Sequence, residues 1–200
     1  MRAWLRSPPW REIEYWSLDL ETSGLDARTD DILSVGMVPI RAGSILWGER
    51  YYSLVRTSAD HRPSIEAMRI HHILPEEADR APELPEVLDE VLGRLANAAI
   101  VVHYGKLDLG FLQVVSKRLG RDWPRPAVVD TVKLLGRMTH LRRQLEPYAE
   151  AFPADLAAAR RELGLPVHRH HHALYDALAT AELMLVLADR LGAKRLRHLT

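Results

Sequence analysis

Cysteine is absent from the 200 residues, so neither a disulfide nor a thiolate zinc site contributes to the fold. Excess charge of either sign is missing as well: 27 Lys and Arg stand against 27 Asp and Glu. Proteins that wrap long duplexes through many phosphate contacts are as a rule basic. The balance argues against broad nonspecific binding of nucleic acid and leaves room for a local grip on a strand end. No apolar run approaches the roughly 18–20 residues of a membrane span. The opening MRAWLRSPPW carries no long apolar core of a secretory signal. No membrane contact is expected, and a cytoplasmic setting suits the cysteine-free composition. Internal repeats and low-complexity segments are also missing.

What is present is a chain long enough for one domain with a proper core. Residues 1–13, with Pro8 and Pro9 between Trp4 and Trp10, read as an irregular leader or docking arm before a body spanning 14–200. Strand-like runs fall at about 14–20, 31–40 and 44–55, the last two separated by the turn signal Arg41-Ala42-Gly43. After a mixed segment at 64–80, Leu84, Val87, Leu88, Val91, Leu92 and Leu95 keep helical spacing. The short apolar runs AIVVH (99–103) and AVVD (127–130) read as buried strands. Helices are expected over 106–120, from Thr131, over 154–163 and over 172–192. A three-stranded meander followed by βαβα units predicts an α/β fold, one mixed five-stranded sheet flanked by helices.

Four acids interrupt this pattern. Asp19 and Glu21 sit two apart in LDLETSG, a spacing that sends both carboxylates to one face of a strand, where acids are seldom found on an inward side. Asp108 and Asp176 each fall in the first turn of an expected helix. There an acid commonly does no more than complement the helix dipole. If the four converged, each close pair would repel by about 4 kcal/mol at an effective dielectric near 20. Such a cluster persists only when protons or cations neutralise it. Oxygen donors with no cysteine favour Mg²⁺ or Mn²⁺ over zinc.

DLETSGLD, VVHYGKLDLGFL and HHALYDALATAELML occur in that order, and together they resemble the three motifs of the DEDD superfamily of 3′–5′ exonucleases. A tyrosine four residues before the last Asp marks one branch of that family; here the position is His172. A histidine five residues before it marks the other, and here that residue is His171. The chain therefore resembles the DEDDh branch, similar to the proofreading subunit of bacterial DNA polymerase III and its stand-alone relatives. The second motif departs from the usual His-Asn-Ala-x-Phe-Asp, reading His103-Tyr104-Gly105-Lys106-Leu107-Asp108.

The resemblance implies a ribonuclease H-like fold and two-metal cleavage of phosphodiesters at the 3′ end of DNA, with RNA as a further substrate, releasing nucleoside 5′-monophosphates. It implies that Asp19 bridges two Mg²⁺ or Mn²⁺ ions, that Glu21 and Asp176 complete the nucleophile-side site, and that Asp108 helps hold the other ion. His171 would serve as general base, with a pKa suited to working pH. Thr22, Leu25, His71 and the altered Tyr104 are expected among the substrate contacts, although His71 is equally a packing residue. Single-stranded 3′ ends are the expected partner, with a DNA polymerase or repair protein as a further one. An oligoribonuclease-like activity and a non-catalytic polymerase-associated module are the alternatives.

Asp130 reads as a supporting acid rather than a ligand. The run 168–172 is rich in histidine, a composition also found in transition-metal sites. Consecutive histidines on a loop diverge, and no Glu or Cys lies at metal spacing nearby. One histidine facing the site with exposed neighbours is the expected arrangement. Arg137, His140, Arg142 and Arg143 form one basic cluster and Arg190, Lys194, Arg195 and Arg197 another. Each is either a phosphate contact or a solvated face.

Overall fold

The computed structural model describes residues 7–56, 77 and 79–200. One mixed sheet organises it. Strand β1 (Tyr15–Thr22) pairs antiparallel with β2 (Ile32–Arg41), which carries β3 (Ser44–Ile45) and β4 (Tyr51–Leu54) along its far edge. On the other side β1 pairs parallel with β5 (Ala99–Val102), and β5 pairs parallel with β6 (Val128–Asp130). The expected third strand at 44–55 is therefore two strands. A 3-10 turn at Trp47–Glu49 interrupts it, raising the count to six around the same meander.

The helices whose bounds fall among the described residues are α1 (Leu84–Leu95), α2 (Lys106–Arg118), α3 (Thr131–Leu145), α4 (Leu156–Glu162) and α5 (Ala173–Arg190). They cover both faces of the sheet, and the alternation of β1 shows how. Trp16, Leu18 and Leu20 pack with Val87, Leu88 and Val91 of α1 and Phe111, Leu112 and Val115 of α2. Tyr15 faces the opposite layer, where Leu183, Met184 and Leu187 of α5 and Leu134 of α3 are buried. With a side-chain period of two, Asp19 and Glu21 share the face of Tyr15 and so look toward α5.

Gly36 brings α5 close. It lies opposite Asp19 in the β1–β2 register, and a Cβ there would overlap the backbone of Ala173 and Leu174. Only hydrogen fits. The first turn of α5 therefore rests directly on the sheet beside Asp19.

Residues 7–13 pack onto the C-terminal segment. The Trp10 indole is 4% exposed and donates to the Ala193 carbonyl at 2.8 Å. Pro9 bridges Arg195, and Leu196 N donates to the Pro8 carbonyl at 3.0 Å. Trp10 is thus occupied within the chain, while Trp4 and the segment 64–76 lie outside the described residues. No described helix is long and apolar enough to cross a membrane.

Candidate active site

The acids meet where β1 ends, α2 starts and α5 starts. Asp19, Glu21 and Asp176 each present a carboxylate oxygen, and these atoms lie within 4.8 Å of one another. Glu21 and Asp108 are each 7% exposed. Asp108 closes the group from the β5 side. The parallel ladder between β1 and β5 runs only from Tyr15↔Ala99 to Ser17↔Val101, and beyond it Asp108 Oδ1 accepts from Leu20 N at 3.1 Å. The amide between Asp19 and Glu21 is thereby tied to the third acid.

Crowding shows in the protonation. Asp19 is held well above the usual carboxylate range, by burial first and then by the negative charges of Asp108, Asp176 and Glu21. Burial pushes the Asp108 carboxyl up to about 7, against the lowering effect of its bond from Leu20 N. Buried oxygen donors that resist ionisation are what hard divalent cations would relieve, so the donor set fits such a cation.

Asp176 is itself tethered. Its Oδ2 accepts from His172 N at 3.1 Å, and His168 Nε2 lies 2.8 Å from its Oδ1. Burial lowers the His168 pKa. His168 was not singled out by the motif, which points only to the fifth residue before Asp176. The base of this loop is pinned by the buried Arg160, which donates to the Ala179 carbonyl (2.7 Å), the Pro166 carbonyl (3.0 Å) and Glu182 Oε2 (2.6 Å).

His171 and His172 part company. His171 takes a left-handed conformation, φ 56°, and lines a cleft of about 250 Å³ shared with Asp19, Asp176, His103, His170 and the 154–157 segment. His172 turns away and joins an aromatic stack. Its ring lies 4.8 Å from Tyr52 and 4.8 Å from Tyr175, which in turn lies 6.3 Å from Trp47. The position that carries tyrosine in the other branch is therefore a packing residue, and its neighbour His171 lines the cleft with Asp19 and Asp176.

His103 forms another wall that the motif reading left without a role. Its Nε2–H donates to the Ala154 carbonyl at 2.7 Å, while Nδ1 lies 2.7 Å from Thr131 Oγ1. Burial lowers its pKa, and the ring fastens the 154–157 segment over the cleft, while the Thr131 hydroxyl donates to the Val102 carbonyl at 3.2 Å. Tyr104 follows with φ 58° and a side chain 66% exposed. Its amide donates to Asp130 Oδ1 (3.2 Å), the same oxygen that caps α3 through Val132 N (3.0 Å). Asp130 is thus spent on two backbone amides.

At the other rim, Thr22 Oγ1 donates to the Gly24 carbonyl at 2.7 Å, and Leu25 projects 82% exposed. His71 lies outside the described residues. The basic cluster on α3 is largely spent within the chain. Arg137 holds the carbonyls of His198 and Thr200, Arg142 pairs with Glu162, and Arg143 donates to the Ala149 carbonyl.

Fold and acid arrangement define a class, and comparison with known proteins agrees. The family model described as Exonuclease matches residues 17–184, and the chain belongs to this family, of the DEDD 3′–5′ exonuclease type. It is 35% identical over 169 residues to the PolC-type DNA polymerase III of Thermotoga petrophila, covering 84% of this chain and 11% of the polymerase. Against the 3′–5′ exonuclease DinG of Staphylococcus aureus the identity is 28% over 180 residues, 88% of this chain and 18% of DinG. The chain therefore spans a small part of these curated relatives. Among solved structures, E. coli Exonuclease I in complex with a dA16 oligonucleotide superposes with a TM-score of 0.75 at 18% identity, over 90% of this chain and 42% of that one. Exonuclease X in complex with 5′ overhanging duplex DNA gives 0.66 at 23%, over 92% and 97%. These two likenesses establish the fold.

Proposed function

We propose that the protein is a metal-dependent 3′–5′ exonuclease that removes nucleoside 5′-monophosphates from the 3′ end of single-stranded DNA. The observation carrying this reading is the convergence of Asp19, Glu21 and Asp176 within 4.8 Å, with Asp108 tied behind them. Two Mg²⁺ or Mn²⁺ ions, held by these four carboxylates, would supply charge neutralisation and an activated water when bound. His171 lines the same cleft as Asp19 and Asp176 and is the residue we assign to accept the proton of the attacking water. Thr22 and Leu25 on one rim and Tyr104 on the other would bracket the terminal nucleotides. Leu25 and the exposed Tyr104 ring offer apolar and stacking faces to bases, which are sequence-tolerant contacts. A polymerase or repair partner is consistent with the PolC-type relative.

A single-stranded oligomer labelled at its 5′ end provides the test, with Mg²⁺ or Mn²⁺ added to metal-stripped protein. We expect a ladder shortening from the 3′ end and mononucleotide products. No release with either ion at neutral to mildly alkaline pH overturns the reading. Matched RNA, run in parallel, shows whether a 2′-hydroxyl is accepted.

A further inference from the structure

The histidine loop contains a second ligand group. His168, His170 and Asp176 each offer one donor atom, all within 4.8 Å of one another. The expectation that neighbouring histidines diverge does not hold for this loop. In an extended segment residues i and i+2 share a side. His168 and His170 have ring centroids 4.4 Å apart, and His170, 6.2 Å from the His171 ring, also lines the cleft that His171 faces. One edge of a coordination shell is already close, since His168 Nε2 lies 2.8 Å from Asp176 Oδ1. Two ligands of a tetrahedral zinc ion stand about 3.4 Å apart when each bond is about 2.1 Å. The group therefore closes on an ion with about 1–1.5 Å of movement. The segment is anchored for this by Arg160, 2% exposed, which fixes the Pro166 carbonyl to α5.

We propose that His168, His170 and Asp176 form a zinc site beside the all-oxygen group of Asp19, Glu21 and Asp176. Its two imidazoles select a borderline-soft ion, whereas the three carboxylates select hard ones. Asp176 belongs to both groups. Zinc held by the histidines takes Asp176 from the hard-ion site, so zinc acts as a brake on turnover; this consequence rests on the function proposed above, the binding itself does not.

The test is calorimetric titration of Zn²⁺ into chelator-stripped full chain, in excess Mg²⁺ and without nucleic acid. One zinc should bind with micromolar affinity or better. His170→Asn, at an exposed position, should weaken it about tenfold or more, and Glu21→Gln should leave it nearly unchanged. Co²⁺ should show the visible absorption of tetrahedral nitrogen and oxygen coordination, lost in His170→Asn. Absence of binding, or binding lost in Glu21→Gln but retained in His170→Asn, overturns the proposal by placing zinc among the carboxylates or nowhere. Zinc binding through His170 in a chain that releases no nucleotide with Mg²⁺ supports the site and overturns the exonuclease reading instead.

Discussion

Asp108 Oδ1 accepts a hydrogen bond from Leu20 N at 3.1 Å, across 88 positions of sequence. One acid thereby holds the amide that separates two others, so a single bond places Asp108 beside the Asp19–Glu21 pair. It also stabilises the charged form of Asp108 against a burial effect that is larger and opposite.

Metal-free stability should therefore depend on pH. A carboxyl raised to about 7 favours folding while neutral in both states, and that contribution is lost as pH climbs through the raised value. The Tm of chelator-treated protein should fall as pH rises from about 4 to about 7. Saturating Mn²⁺ should remove most of the slope. A metal-free Tm that rises over this interval contradicts the burial of Asp108.

Asp19→Asn removes the most crowded charge, repelled by Asp108, Asp176 and Glu21. Without metal the variant should melt several degrees higher than the parent, since about 1 kcal/mol moves Tm by about 2–4 °C at this size. Nucleotide release should be abolished in the same variant. Differential scanning calorimetry with a chelator present decides the first part, and an unchanged or lower Tm counts against charge crowding.

Gly36→Ala should act on α5. The added methyl has no room against Ala173 and Leu174, and overpacking of this kind costs about 1–3 kcal/mol. The helix start that carries Asp176 must shift, so Mn²⁺ affinity should fall along with stability. A variant with parental stability and metal affinity would show that α5 does not rest on the sheet at Gly36.

Tyr104→Asn should separate stability from binding. Asn tolerates the left-handed conformation that Tyr104 adopts at φ 58° better than a bulky residue does. Urea denaturation should show equal or greater stability, by up to about 1 kcal/mol. If the exposed ring stacks on a base, KM for single strands should rise, with about 1–3 kcal/mol of stacking lost.

Trp10→Ala tests the seam between residues 7–13 and the C-terminal segment. Loss of a buried indole and its bond to Ala193 should cost about 3–5 kcal/mol. Exonuclease activity per folded molecule should change little, which a burst-normalised assay at low temperature can read.

Much of this was legible in the residues. Period-two alternation in β1 and apolar spacing in α1 and α5 are local signals, and they gave the strands and helices to within a few positions. Asp19 and Glu21 stood out as acids on a strand with few comfortable alternatives, whereas Asp108 and Asp176, ordinary first-turn acids taken alone, were picked out only by the motif resemblance. What stayed hidden depends on three-dimensional approach. The break at Trp47–Glu49 lies inside a run with strand character, and nothing in its local pattern marks the interruption. His168 and His103 act through partners 8 to 51 positions away. Gly36 looks like any glycine in a strand until α5 is laid against it.

Trp10 joined to Ala193, and Pro9 to Arg195, have a mechanical meaning. From that seam β1 runs about 20 Å to Glu21 at about 3.3 Å per residue. Back along α5, Arg190 to Asp176 covers about 21 Å at 1.5 Å per residue. The two arms are nearly equal and spring from one root, like the legs of a pair of tweezers. The tips are joined as well, because the first turn of α5 rests on Gly36 beside Asp19, so the carboxylate gap is framed at both ends.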